Sequence, residues 1–134
     1  MKIYLAARYD RKEEVAKMAV WLASLGFEMT CTWVKRETSL YDDVMGTEEG
    51  TLNALLDVED VGRSDILVLL AEEPGNGSSR GGRHVEFGMA VALGLQLVVL
   101  GAKENIFHCL PYVKVVADRD ALLDHLEGLR AILE

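Results

Sequence analysis

Three short runs, "KIYLA" (2–6), "DILVLLA" (65–71) and "LQLVVLG" (95–101), are apolar with almost no alternation. A strand with one face in water carries a polar residue at every second position, so runs like these must be covered on both faces. That is the condition of a parallel sheet between helices. The stretches between them supply the helices. Val15, Met18, Ala19, Leu22 and Leu25 recur at helical spacing after Asp10, and Gly26 ends the run. Thr47 opens a second helix that carries Leu52, Leu55, Leu56 and Val61. A third runs from about 82 to 93 and is closed by Gly94. A fourth covers 118–133 with Leu122, Leu123, Leu126, Leu129 and Ile132. "FEMTCTW" (27–33) and "VKVVA" (113–117) predict two further strands.

Strands that alternate with helices fold into an α/β domain with right-handed crossovers. We expect a flavodoxin-like or Rossmann-like doubly wound sheet of five parallel strands, order 2-1-3-4-5, in a single domain over 1–134. Ligands of such sheets bind beyond the carboxyl ends of the strands, near the switch between strands 1 and 3. Three loops gather there: 6–11, with Ala6, Arg8 and Tyr9; 72–82, glycine-rich; and 101–110, with Asn105 and His108.

Charge narrows the partners. The 134 residues carry a net charge of -8, which argues against a nucleic acid polymer, since phosphate backbones select basic surfaces. A single small nucleotide is not excluded by it. The opening "MKIYLAARYD" becomes charged too early for a signal peptide, and no apolar run approaches the ~18 residues of a membrane span. Cys31 and Cys109 are too few for a disulfide framework, and His84, His108 and His125 are scattered. The expectation is a reduced cytoplasmic setting with no metal and no cofactor.

The glycine-rich stretch "GNGSSRGG" (75–82) precedes a helix start, where backbone amides attract anions. Ser78, Ser79, Arg80 and Gly82 are the candidate contacts for a phosphate or sugar, against a plain turn-forming loop. The chain has no G-K-[ST] and no G-x-G-x-x-G. Glu86 stands in the first turns of the third helix, and Met89 and Ala90 follow at helical spacing. Gly82, Gly88 and Ala92 make that helix thin, which predicts a close approach to the sheet. A carboxylate there is partly desolvated, as a nucleophile or base would be; the alternative is a surface glutamate near the helix dipole. Asp57 reaches the carboxyl edge if the second helix is long enough. Asp60 reads as a solvated acidic helix end, and Asp65 as a cap or a partner of Arg63. Tyr4, Tyr9 and Trp33 are either core aromatics or surfaces on which a flat ligand stacks. Residues 34–46 show no period and read as a long polar loop.

Four segments in order, "KIYLAARYD", "LLDVEDVGRSDILVLL", "GGRHVEFGMAVALG" and "VVLGAKENIFH", resemble the nucleoside 2-deoxyribosyltransferases and their relatives that hydrolyse nucleotide N-glycosidic bonds. The resemblance spans about residues 2–110. It implies that Glu86 is the nucleophile at C1′ of the sugar, that Tyr4 positions it, and that Asp57 donates to or orients the leaving base. It also implies a small-molecule nucleoside or nucleotide as partner and a homodimer or higher homo-oligomer, with Asn105 a candidate for the shared part of the site. One departure bears on the substrate. Where transferases of free nucleosides place an acid six residues before the nucleophile, this chain has Arg80, preceded by Ser78 and Ser79. Serine in this loop goes with relatives that bind a 5′-phosphate, so a monophosphate substrate is expected. The rival reading is a non-catalytic domain that senses a nucleotide derivative on the same fold.

Overall fold

The computed structural model describes residues 1–37, 44–75 and 81–134. The strands are β1 (Lys2–Ala6), β2 (Glu28–Met29), β3 (Ile66–Leu70), β4 (Gln96–Leu100) and β5 (Val113–Val116). All pair in parallel in the order β2-β1-β3-β4-β5. The helices are α1 (Lys12–Ser24), α2 (Glu48–Gly62), α3 (Gly82–Leu93) and α4 (Arg119–Leu133). The expected α/β sheet and its strand order are the ones observed.

β3 shows why the apolar runs decide the topology. All five of its residues are buried, and it pairs with β1 on one side and β4 on the other. Its register sets Ile3 against Ile66 and Ile66 against Gln96. Only strands covered by helices on both faces and flanked by neighbours on both edges tolerate such a run. α1 and α4 are tied on one side of the sheet: Arg130 Nη1 donates to the Leu25 carbonyl at 2.8 Å, and the Arg119 guanidinium lies 4.1 Å from the Trp21 ring. α2 and α3 pack against each other.

Two expectations are corrected. The second strand is two residues long rather than seven. Thr30 still donates to the Ile3 carbonyl at 2.9 Å, but Thr32 then turns away into a 3-10 turn, Thr32–Lys35. The cause is Asp60, whose Oδ2 accepts from the Thr32 amide at 3.0 Å and from its hydroxyl at 2.6 Å. Asp60 is therefore a buried anchor that ends an edge strand, not a solvated helix end. Arg63 pairs with Asp60 at 3.2 Å, while Asp65 accepts from the Lys2 amide at 2.8 Å.

The second correction concerns α3. Arg83, Phe87 and Ala90 are its buried residues, whereas Val85, Gly88, Ala92 and Leu93 are exposed. A side chain added at Gly88 would meet open space. The thin side of the helix thus faces outward, and Phe87 and Ala90 set its distance from the sheet. Likewise Leu52, Leu55 and Val58 of α2 are exposed, although the helical period was read correctly. Periodicity locates a helix but says nothing of which neighbour covers its apolar stripe.

Candidate active site

The site begins with a buried strand residue. Tyr4 lies in the middle of β1 with no exposed surface, and its hydroxyl donates to Glu86 Oε2 on α3. A phenol buried among aliphatic side chains needs a partner for its O–H, and Glu86 supplies it. Burial and the Glu86 charge both push the Tyr4 pKa far up, so the phenol stays neutral and donates. Glu86 itself is pushed up to about 8. Desolvation is the main cause, with Asp57 and Asp60 adding repulsion, while the Tyr4 hydrogen bond and the charge of Arg36 act in the opposite direction. The result is a carboxyl group poised near neutrality in a partly dry setting, the condition in which a carboxylate is worth most as a nucleophile.

α2 is long enough to bring Asp57 into this field. The carboxylate of Asp57 raises the pKa of both Tyr4 and Glu86. Burial raises Asp57 in turn, opposed by an ion pair with Arg36. So the three residues that the resemblance assigned to catalysis act on one another, from β1, α2 and α3. The sequence reading missed Arg36. It sits just after the 3-10 turn, in a stretch with no period. The only signal for it was indirect, since three carboxylates gathered at one place need a cation nearby.

The first loop holds itself together. Arg8 pairs with Asp10 at 3.0 Å and with Glu72 at 3.4 Å; Arg11 pairs with Glu72 at 2.6 Å and donates to the Ala71 carbonyl at 3.1 Å. These bonds join the turn after β1 to the end of β3 across the switch point. Ala6 ends β1 fully buried. Trp33 is 8% exposed, and its indole N–H donates to the Leu5 carbonyl at 3.0 Å. It is therefore a core residue that secures β1, rather than an open stacking surface. Tyr9 is the exposed aromatic at this edge, 6.4 Å from Trp33 between ring centroids.

Gly82 opens α3 behind Gly81, whose φ of 82° makes the left-handed turn into the helix. Ser78, Ser79 and Arg80 lie outside the described residues. Asn105 belongs to a second cluster. Its side-chain oxygen accepts from the Phe107 amide at 2.9 Å, and its amide nitrogen lies 3.3 Å from His84 Nδ1. In that cluster Glu104 forms an ion pair with Arg83 at 2.6 Å, and His108 Nδ1 accepts from the Glu104 amide at 3.0 Å. Asn105 thus builds the turn after β4, through bonds to Phe107 and His84 rather than to Glu86. Among the described residues, no group of three or more His, Cys, Asp or Glu is arranged to hold a metal ion, and no helix is long and apolar enough to cross a membrane.

No protein-family model and no curated protein sequence matches the chain. Solved structures do. A CMP N-glycosidase of Clostridium botulinum is 20% identical, with a TM-score of 0.61 over 95% of this chain and 98% of that one. A 2-deoxyribosyltransferase of Bacillus psychrosaccharolyticus is 21% identical, with a TM-score of 0.67 over 88% of this chain and 87% of that one. The chain shares the fold of both. Both are of the two kinds that the sequence segments resemble, and each is covered almost end to end. At this identity the likeness fixes the arrangement of strands and helices, and the chemistry has to be argued from the side chains.

Proposed function

We propose that this protein cleaves the N-glycosidic bond of a nucleoside or nucleoside 5′-monophosphate through a covalent glycosyl–Glu86 intermediate. The observation that carries the reading is the Tyr4–Glu86 hydrogen bond within the field of Asp57. It holds a desolvated carboxylate at the switch point of a fold shared with a CMP N-glycosidase and a deoxyribosyltransferase. A Glu86 oxygen bonds to C1′ as the C1′–N bond breaks, and the bonding pair leaves with the base nitrogen. Water, or the ring nitrogen of a second base, then attacks C1′ and releases the glutamate. Tyr4 aims Glu86 and stabilises its charged form. Asp57 orients the departing base.

The monophosphate preference rests on Ser78, Ser79 and Arg80 in the sequence of the glycine-rich loop. The test is a panel of ribo- and deoxynucleosides and their 5′-monophosphates, assayed for free base with and without a second base. Release from monophosphates ahead of nucleosides supports the full reading. Faster release from the unphosphorylated form sinks the phosphate preference alone. Tight nucleotide binding without release, in the wild type and in Glu86→Ala alike, replaces the enzyme with a sensor.

A homo-oligomer is supported by a different feature. Val85 and Leu93 on α3 and Leu52, Leu55 and Val58 on α2 are exposed apolar residues on two helices that touch. Exposed stripes on adjacent helices are the usual mark of a covered face. Leu55→Glu should lower the mass read by sedimentation; a monomeric wild type overturns the assembly.

A further inference from the structure

One charged side chain of the site has no role in the reading above. Arg36 leaves the 3-10 turn in extended backbone, and its own carbonyl accepts from the Lys12 ammonium. Its guanidinium is held from one side by α2: Nη1 donates to the Asn53 carbonyl at 3.2 Å, and Nη2 pairs with Asp57. The side chain is 17% exposed, and its Nε, although buried, makes no hydrogen bond. A guanidinium fixed this way is a permanent charge held against one carboxylate.

The groups that act on Glu86 come from every element around it. Tyr4 on β1 donates to it, Asp57 and Asp60 lie on α2, and Arg36 follows the 3-10 turn; Cys31, after β2, is itself raised by burial and by the Glu86 charge. Asp57 and Asp60 both oppose ionisation of Glu86. Asp60 is partly quenched by Thr32 and Arg63. Asp57 pairs with Arg36.

We propose that Arg36 is a positioning residue: its guanidinium orients Asp57 as a carboxylate and places a permanent positive charge within reach of Glu86. This rests on the reading of Glu86 as the reacting group. It adds a constraint on the substrate. A carboxylate clamped by arginine accepts hydrogen bonds rather than donating a proton, so Asp57 suits a base that offers an N–H, such as an exocyclic amine. The leaving base then takes its proton from water.

The experiment uses the full chain as wild type, Arg36→Gln and Arg36→Lys. Glutamine keeps hydrogen-bonding capacity and removes the charge; lysine keeps the charge and loses the planar fork. The Glu86 carboxyl is titrated by carbon-13 NMR without substrate, with Glu86→Gln identifying its signal. Arg36→Gln should move the midpoint up by about one pH unit, while Arg36→Lys stays close to wild type. The acid limb of kcat/KM for base release should move with it, costing about tenfold at neutral pH in Arg36→Gln and recovering at higher pH. An unchanged midpoint in a folded Arg36→Gln protein overturns the proposal, whatever the activity. Should no substrate release base from the wild type, the enzymatic reading falls by itself, and the titration still decides whether Arg36 governs Glu86. If Arg36→Gln does not fold, Arg36→Met and the lysine variant carry the same comparison; a lysine midpoint as far displaced as that of the neutral variant also overturns the proposal.

Discussion

Two partly buried glutamates, Glu86 and Glu104, are driven in opposite directions. Glu104 is held below the usual carboxylate range, because the Arg83 guanidinium pairs with it directly and outweighs the cost of burial. Glu86 receives a neutral hydroxyl from Tyr4 as its direct partner, sits among other acids, and is pushed up to about 8. Both lie near α3: Glu104 is paired with its start, and Glu86 stands one turn in. The difference lies in which partner each receives. An ion pair satisfies a carboxylate and makes it inert; a neutral donor in a dry, acidic setting leaves it reactive. Glu104 secures the turn after β4 to α3, and Glu86 is left available.

The contrast breaks most sharply in activity. Glu86→Gln should reduce base release by at least ~1,000-fold, because it removes the attacking oxygen's charge and nucleophilicity while the amide oxygen can still accept from Tyr4. Glu104→Gln should leave kcat within a few-fold, read in the same assay. Equal losses in the two variants would erase the distinction.

Stability should show the reverse order. Glu104→Ala breaks the ion pair at 2.6 Å with the buried Arg83 guanidinium, a change that costs about 3 kcal/mol. A thermal melt should register it as a fall of roughly 10 °C for a chain of this size. Glu86→Ala should cost less at neutral pH, since it removes a group that burial already disfavours.

pH separates the two further. The folded state raises Glu86 above its unfolded value, so it binds this proton more tightly than the unfolded chain does. That contribution is complete below the unfolded value, near 4.5, and is lost as pH rises towards 8. Glu104 is lowered, so its contribution is present above the unfolded value and is lost as pH falls below it. In urea melts, Glu86→Gln should therefore gain on the wild type as pH rises from 5 to 9, by ~4 kcal/mol. A flat difference across that range would contradict the desolvated placement of Glu86.

The smallest expected effect belongs to Tyr4→Phe. It removes the hydrogen bond that favours the charged form of Glu86 and leaves the aromatic packing intact. The acid limb of kcat/KM should move to higher pH, with a loss of about tenfold at neutral pH that narrows as pH rises. A uniform loss at all pH values would assign Tyr4 to the substrate rather than to Glu86.

Much of this was legible in the residue order. The apolar runs of β1, β3 and β4 admit only covered parallel strands, and the helical periods between them leave one economical topology. The resemblance of the four segments picks out Tyr4, Asp57 and Glu86 from the sequence. Other placements were not legible, because they depend on bonds between distant residues. Nothing in "FEMTCTW" says that Asp60 will catch Thr32 and end the strand there. Nothing in the period of α3 distinguishes the face with Phe87 from the face with Gly88 and Leu93, since both are apolar. Trp33 became core only through its bond to the Leu5 carbonyl.

The sequence by itself determined the elements and their order, because hydrophobic period and turn chemistry are properties of neighbours along the chain. The tertiary structure alone decided which carboxylate is paired and which is left with a phenol. Arg36 reaches Asp57 across twenty-one positions, Tyr4 reaches Glu86 across eighty-two, and Arg83 reaches Glu104 across twenty-one. Charge strength depends on distance and on exclusion of water, and both exist only once the chain has closed on itself.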